Sequence, residues 1–338
     1  MEDSHYRIDG LQCALWNRKN LENLRHNAID AVHVTVAFWE TPEETLHQIG
    51  HWHQLLEDHE DIIMAIKEPG DFLRAKASGR TGIILGSQNA SIIGDSRKFV
   101  SIFRQLGICV MQLSYNNQSL LATGCYEDRD PGITRFGKEV IEEMNRVGMI
   151  IDMSHSSEKS TLEAIALSSR PITISHANPS FFHNTRRNKS RDVLRALGQS
   201  GGLLGLCLYS PHLKNGDACS IDAFCKMAAE AAEVVGIDHI GIGSDLVTDQ
   251  PLSMLHWMRS GRWASTNTDT GGCTEDLSWP TPPPWYKDNS GLQNLAEALG
   301  GFGFREEDIQ KILGDNWHNF LSQGILGMGI KHEETKRT

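Results

Sequence analysis

Two short apolar runs, each closed by Ser-His, constrain this chain more than any other feature. Met149-Ile-Ile-Asp-Met-Ser-His155 and Arg170-Pro-Ile-Thr-Ile-Ser-His176 are rich in Ile and Met, with little polar alternation. Runs of this kind read as strands buried on both faces, as in a parallel sheet. The stretch 156–169 between them reads as a helix. The unit is therefore strand–helix–strand, with one imidazole at the C-terminal end of each strand. Parallel α/β proteins carry their functional groups at those ends. Neutral imidazole is a common ligand for zinc and its neighbours, so His155 and His176 are candidate metal ligands.

The rest of the chain repeats the alternation. Apolar runs at 7–15, 31–38, 81–88, 108–115, 201–208 and 239–245 predict six further main strands, with helical stretches between them and a short extra strand at 62–66. Eight strands alternating with helices predict one right-handed parallel (β/α)8 TIM barrel. A length of 338 residues suits a single barrel domain spanning 1–338. The competing architecture, a doubly wound open sheet, lacks its GxGxxG loop after the first strand; Gly201, Gly202 and Gly205 do not have that spacing. The segment at about 246–288 is rich in Trp, Pro, Gly and Thr and reads as a long insertion after the last strand. Insertions of that length serve as lids or binding elements. Trp257, Trp263, Trp279 and Trp285 would equally suit packing against a neighbouring subunit.

Composition narrows the partners. A net charge of −11 argues against nucleic acid and anionic membranes. No apolar run is long enough to span a bilayer. The start, Met1-Glu-Asp-Ser-His5, has no basic region followed by an apolar core, so no signal peptide is expected. Seven scattered cysteines, an odd number without a CxxC pair, read as reduced thiols in a cytoplasmic protein.

If the barrel forms, its mouth gathers Cys13, Gln88, Tyr115, Asn116, His155, His176 and Asp245. Two histidines, one aspartate and a thiolate or amide oxygen would make a divalent-metal site with a position open for water. Asp245 has two open roles: metal ligand, or general base toward that water and then acid toward a leaving amine. Cys13 reads equally as a buried apolar thiol and as a ligand. Of the pair Arg186-Arg187, downstream of His176, one arginine suits carboxylate binding.

Taken together, Asp9-Gly10, Gly86-Ser-Gln88, Met111-Gln-Leu-Ser-Tyr-Asn116, Asp152-Met-Ser-His155, Ser175-His176 with Arg187-Asn188, Gly241-Ile-Gly-Ser-Asp245 and Gly314-Asp-Asn-Trp317 resemble the membrane (renal) dipeptidase family of the amidohydrolase superfamily. The resemblance runs in order over nearly the whole chain. It implies a zinc centre at the barrel mouth, hydrolysis of dipeptides and homo-oligomers. Position by position, it implies that His155 and His176 hold one zinc, that Asp245 contacts a second zinc and handles protons, and that Arg187 meets the substrate carboxylate. Tyr115 falls where typical members have a histidine that polarises the scissile carbonyl. Three positions depart: Leu11 and Cys13 replace a ligating His and Asp, and Gln88 replaces a bridging Glu. A neutral amide does not offset the repulsion of two dications, so one metal is expected rather than two, with His155, His176, Gln88 and Cys13 as the candidate set. The expected activity is cleavage of an amide bond in a dipeptide or an N-acyl amino acid, with Asp245 and Tyr115 catalytic and Arg187, Tyr115 and Asn116 on the substrate. The alternative is a metal-free barrel relative with a non-hydrolytic or ligand-binding role.

Overall fold

The computed structural model describes residues 5–262 and 278–325. It contains ten strands: β1 (Ile8–Ala14), β2 (Ala31–Ala37), β3 (Ile63–Ala65), β4 (Thr81–Ser87), β5 (Ile108–Gln112), β6 (Ile150–Asp152), β7 (Thr173–Ile174), β8 (Leu203–Leu206), β9 (Ile240–Ile242) and β10 (Leu246–Thr248). All pairings are parallel. Eight strands run in the order β1-β2-β4-β5-β6-β7-β8-β9, and β9 pairs back to β1. This closes a (β/α)8 barrel, and each of the eight main strands expected from sequence supplies one stave. β3 lies outside against β4, and β10 extends alongside β1.

Burial drives the assembly. The helices lay apolar stripes on the outside of the barrel, as Ile49, Trp52 and Leu55 do on the helix Pro42–Asp58. Each such side chain is worth roughly 1.5–3 kcal/mol on burial. That helix starts with a capping box, in which Thr41 and Glu44 satisfy each other's backbone N–H groups. Trp317, from the helix Asn316–Gly324, packs over Gly10 and Gly241 and donates its indole N–H to Ile242 O at 2.8 Å. A Cβ at Gly10 would lie 2.1 Å from the Trp317 ring, so only glycine admits the indole there.

The seam between β1 and β9 rests on one register pair, Asp9 with Ile242. Asp9 reinforces it by accepting from the backbone N–H and hydroxyl of Ser244, from Leu11 N and from Gln12 Nε2. Burial still pushes the Asp9 carboxyl up to about 6.

Two stretches differ from the sequence reading. The Ser-His runs form strands of only three and two residues, ending before the histidines. Beyond them, serine and aspartate side chains capture the backbone N–H groups in place of a ladder partner. The segment after β9 carries β10 and a helix, Leu252–Ser260, where no regular structure was expected. Within it, Trp285 donates to Cys219 O at 2.8 Å and packs on Phe224, so this tryptophan is used inside the chain. Trp263 lies outside the described residues.

Close approach of β7, β8 and β9 requires glycine twice. A Cβ at Gly205 or Gly243 would sit 1.8 or 1.7 Å from Ser175 O. Gly205→Ala should therefore destabilise the fold by about 3 kcal/mol or more through backbone overpacking. Gly50→Ala, on an exposed helical face with nothing within 4 Å of the new Cβ, should stabilise it by about 0.5–1 kcal/mol. Urea midpoints of the two variants check both signs.

Candidate functional site

The site is built on Asp152, the last residue of β6. Its fully buried carboxylate accepts from the backbone N–H and hydroxyl of Ser154 and from the backbone N–H and hydroxyl of Ser175. Four donors from two strand ends fix both Ser-His turns together. Ser175 spends its only proton on Asp152, so its oxygen accepts from His176 Nδ1, at 2.7 Å. On the other ring, His155 Nδ1 lies 2.7 Å from Asn116 Oδ1, an acceptor only. Both Nδ1 atoms therefore carry the hydrogen, and both Nε2 atoms carry a lone pair.

Those two Nε2 atoms face each other at 3.0 Å. Lone pairs at that distance repel unless a cation lies between them. A proton is a poor candidate. Burial, and next the guanidinium of Arg187, hold both imidazoles well below their ordinary pKa, so both stay neutral. Neutral rings with oriented outer nitrogens are the form in which histidine binds metal.

Arg187 is buried beneath this pair and donates to the carbonyls of Ser154 and His176. Tyr115 stacks on the His155 ring at 4.1 Å between centroids. Desolvation, then the nearby Asp245, raise its phenol well above 10. Asp245 follows Ser244 with φ of +54°, a left-handed turn that Asp tolerates better than most residues. Burial pushes its carboxyl up to about 6, with Arg187 opposing the shift.

Gln88, Tyr115, Asn116, His155, Arg187 and Asp245 line one chamber at the C-terminal ends of the strands. The cavity is about 40 Å³, room for a few waters. Gln88 donates its amide N–H to Thr35 Oγ1 at 2.7 Å, which leaves Oε1 as its metal-facing candidate atom. Cys13, expected beside the histidines as a possible ligand, is placed elsewhere. It packs with Phe38, Trp39, Tyr115 and Met258, outside the chamber lining. Burial, and next the charge of Asp245, raise its thiol far above the ordinary range. Leu11 is fully buried core. Among the described residues no group of three or more His, Cys, Asp or Glu is arranged to hold a metal, so a two-imidazole clamp needs neutral oxygen donors to complete it.

The chamber also contains Tyr126, Tyr209, His212 and Arg259, which sequence reasoning did not single out. Tyr209 and His212 follow β8 directly, and the strand-end rule that found His155 would have flagged them. Arg259 lies on the roof helix Leu252–Ser260, within a segment whose periodicity is too weak to give its facing.

Residues 11–255 match the profile of the membrane dipeptidase family, Peptidase family M19. Curated relatives include dipeptidase tcpJ of Claviceps purpurea, 27% identical over 220 residues covering 64% of this chain and 50% of that protein. Dipeptidase verJ of Clonostachys rogersoniana is 26% identical over 214 residues, covering 63% of this chain and 55% of that one. The chain spans about half the length of these curated relatives. An amidohydrolase from Pseudomonas aeruginosa has a closely similar structure, with a TM-score of 0.90 and 34% identity over 96% of this chain and 97% of that one. A metallopeptidase from Rhodobacter sphaeroides, solved with a phosphinate mimic of L-Ala-D-Ala, shares the fold at a TM-score of 0.79 and 17% identity over 95% of this chain and 100% of that one. On the profile match and its agreement with the barrel, the chain belongs to the membrane dipeptidase family, Peptidase family M19.

Proposed function

We propose that this chain is a metal-dependent hydrolase that cleaves an amide bond in a dipeptide or N-acyl amino acid, using one metal ion. The observation that carries the reading is the facing pair of His155 and His176 Nε2 lone pairs at 3.0 Å. With zinc–nitrogen bonds of about 2.0–2.1 Å, two imidazoles sharing a tetrahedral ion place their nitrogens roughly 3.3 Å apart. Three positions support one ion rather than two: Leu11 has no donor atom, Cys13 packs with apolar and aromatic side chains, and Gln88 brings no charge. We read the ion as zinc, held by His155 and His176 with Gln88 Oε1 as the protein oxygen beside them. When bound, it supplies Lewis acidity and a water of lowered pKa.

The remaining roles follow from the chain's own groups. Arg187, fixed by two backbone carbonyls, meets the substrate carboxylate with its remaining N–H groups, and Asn116 holds the His155 ring beside it. The phenol of Tyr115 stays protonated and donates toward the scissile carbonyl oxygen. Asp245, ionised at neutral pH, takes a proton from the attacking water; the new C–O bond forms, the C–N bond breaks, and the proton passes to the leaving amine. A 40 Å³ cavity is far below the roughly 300–1,000 Å³ of ordinary ligand clefts, so the chamber has to widen to admit substrate. We also read the chain as one domain of a cytoplasmic protein; the described cysteines are all unpaired and buried, as reduced thiols would be. No described helix is long and apolar enough to cross a membrane.

Elemental mass spectrometry on protein purified without chelator should find about one zinc per chain. His176→Ala should remove both metal and turnover of a dipeptide panel while leaving the circular dichroism spectrum unchanged. A metal-free wild type that still turns over the panel would refute the reading. Ser175→Ala should weaken metal affinity by about 10–100-fold, since it removes the oxygen that orients His176.

The pH profile gives a separate check. The carboxyl of Asp245 is raised to about 6, so it is protonated below that pH and accepts no proton from water. kcat/KM should therefore rise with pH through about 6 and level off above it. Asp245→Asn should lower kcat by about 10²–10⁴-fold and flatten that rise in the residual rate.

A further inference from the structure

Arg259 is the chamber residue whose chemistry the proposed reaction leaves unused. It stands on the roof helix Leu252–Ser260 and lines the same cavity as His155, Arg187 and Asp245. Its Nη1 is buried and has no hydrogen-bond partner. The helix that carries it is firmly held. Trp39 donates its indole N–H to Met258 O at 3.2 Å, and Trp257 donates to Glu40 Oε1 at 2.8 Å. Arg262, at the end of the same helix, donates to the Glu44 carboxylate and to Trp39 O and stacks over Trp257. The unpartnered Nη1 of Arg259 is thus presented by a fixed element. Leaving a buried charged donor without an acceptor is costly, because the desolvation of that N–H is not offset by a hydrogen bond. A carboxylate is the ligand group that matches a guanidinium edge with two parallel hydrogen bonds.

The chamber already holds one arginine for one carboxylate. Arg187 is pinned on the floor by Ser154 O and His176 O. Arg259 comes from the helix Leu252–Ser260, so the two cations reach the cavity from different elements. Among the described residues, Asp245 is the only acidic one lining it. Two guanidinium groups and one carboxylate lining one cavity leave positive charge for the ligand to neutralise.

We infer that the chamber selects substrates carrying two carboxylates, the second being the side chain of an acidic residue received by Arg259. The inference rests on the amide-hydrolase reading for the first carboxylate, and its test is a binding measurement that needs no turnover. Purified full chain is titrated calorimetrically with N-acetylglutamate and with its neutral isostere N-acetylglutamine. N-acetylglutamate should bind at least tenfold more tightly. In Arg259→Gln the ratio of the two affinities should fall to within about twofold of one, and in Arg259→Lys part of the preference should return. Arg262→Gln, which disturbs the same helix without touching the cavity, should keep the ratio. Equal affinities in the wild type, no binding of either compound, or a ratio that survives Arg259→Gln would each overturn the inference. A companion hydrolysis panel of Gly-Glu, Gly-Gln and Gly-Ala separates the two readings. An intact affinity ratio without any turnover tells against the hydrolase, whereas turnover without acidic preference tells against Arg259.

Discussion

The carboxylate of Asp152 is the constraint on which the chamber depends. It sits at the end of a three-residue strand, fully buried, and takes four hydrogen bonds from two serines on neighbouring strand ends. Those bonds end the β-ladder early and turn the chain so that both following histidines face inward. They also decide the chemistry of one ring. Because Ser175 must donate to Asp152, it can only accept from His176, and the proton of that imidazole is fixed on Nδ1. Asn116 does the same for His155. A pair of lone pairs aimed at one point is therefore a consequence of hydrogen-bond counting around one carboxylate.

The electrostatics beneath the pair follow a common pattern. Carbonyl groups freed where β6 and β7 stop are satisfied by cationic side chains: Arg187 on Ser154 O and His176 O, and Lys189 on Met153 O and Ser156 O. Both cations cap the strand ends through backbone carbonyls. Lys189 is pushed down to about 8 by burial and then by Arg187. Burial, and then the same positive field, hold His155 and His176 neutral, which is the state a metal needs. Structural capping and ligand tuning are performed by the same residues.

The departures from the typical family pattern form a consistent set. Leu11, Cys13 and Gln88 remove a ligand and two negative charges from the region where typical members hold a second dication. On the one-metal reading proposed above, losing the acids together with the ion they serve avoids leaving buried anions unpaired. The thiol of Cys13 then joins an apolar wall with Phe38, Trp39 and Met258, under the roof helix that brings Arg259 to the cavity. On the proposed reading, the chamber has exchanged one metal and its acids for a cationic residue facing the substrate.

Much of this was legible in the sequence because period and position carry it. Buried strands announce themselves as unbroken apolar runs, and strand-end polar residues mark the barrel mouth, so the eight staves and His155, His176, Asp245, Tyr115 and Gln88 could be placed without coordinates. What the sequence left open depends on facing and on partners. Cys13 was equally ligand or core until the strand register turned it into the cluster with Phe38 and Trp39. The lengths of β6 and β7 could not be read, because side-chain capture by Asp152 competes with the ladder only once both strand ends are adjacent. Arg259 was invisible as a chamber residue, since nothing in a weakly periodic segment says that its helix folds back over the mouth. Local pattern determined the barrel and the residue types at its rim; the tertiary structure alone decided which of them share a proton count, a cavity and a charge, because those are properties of groups brought together from opposite ends of the chain.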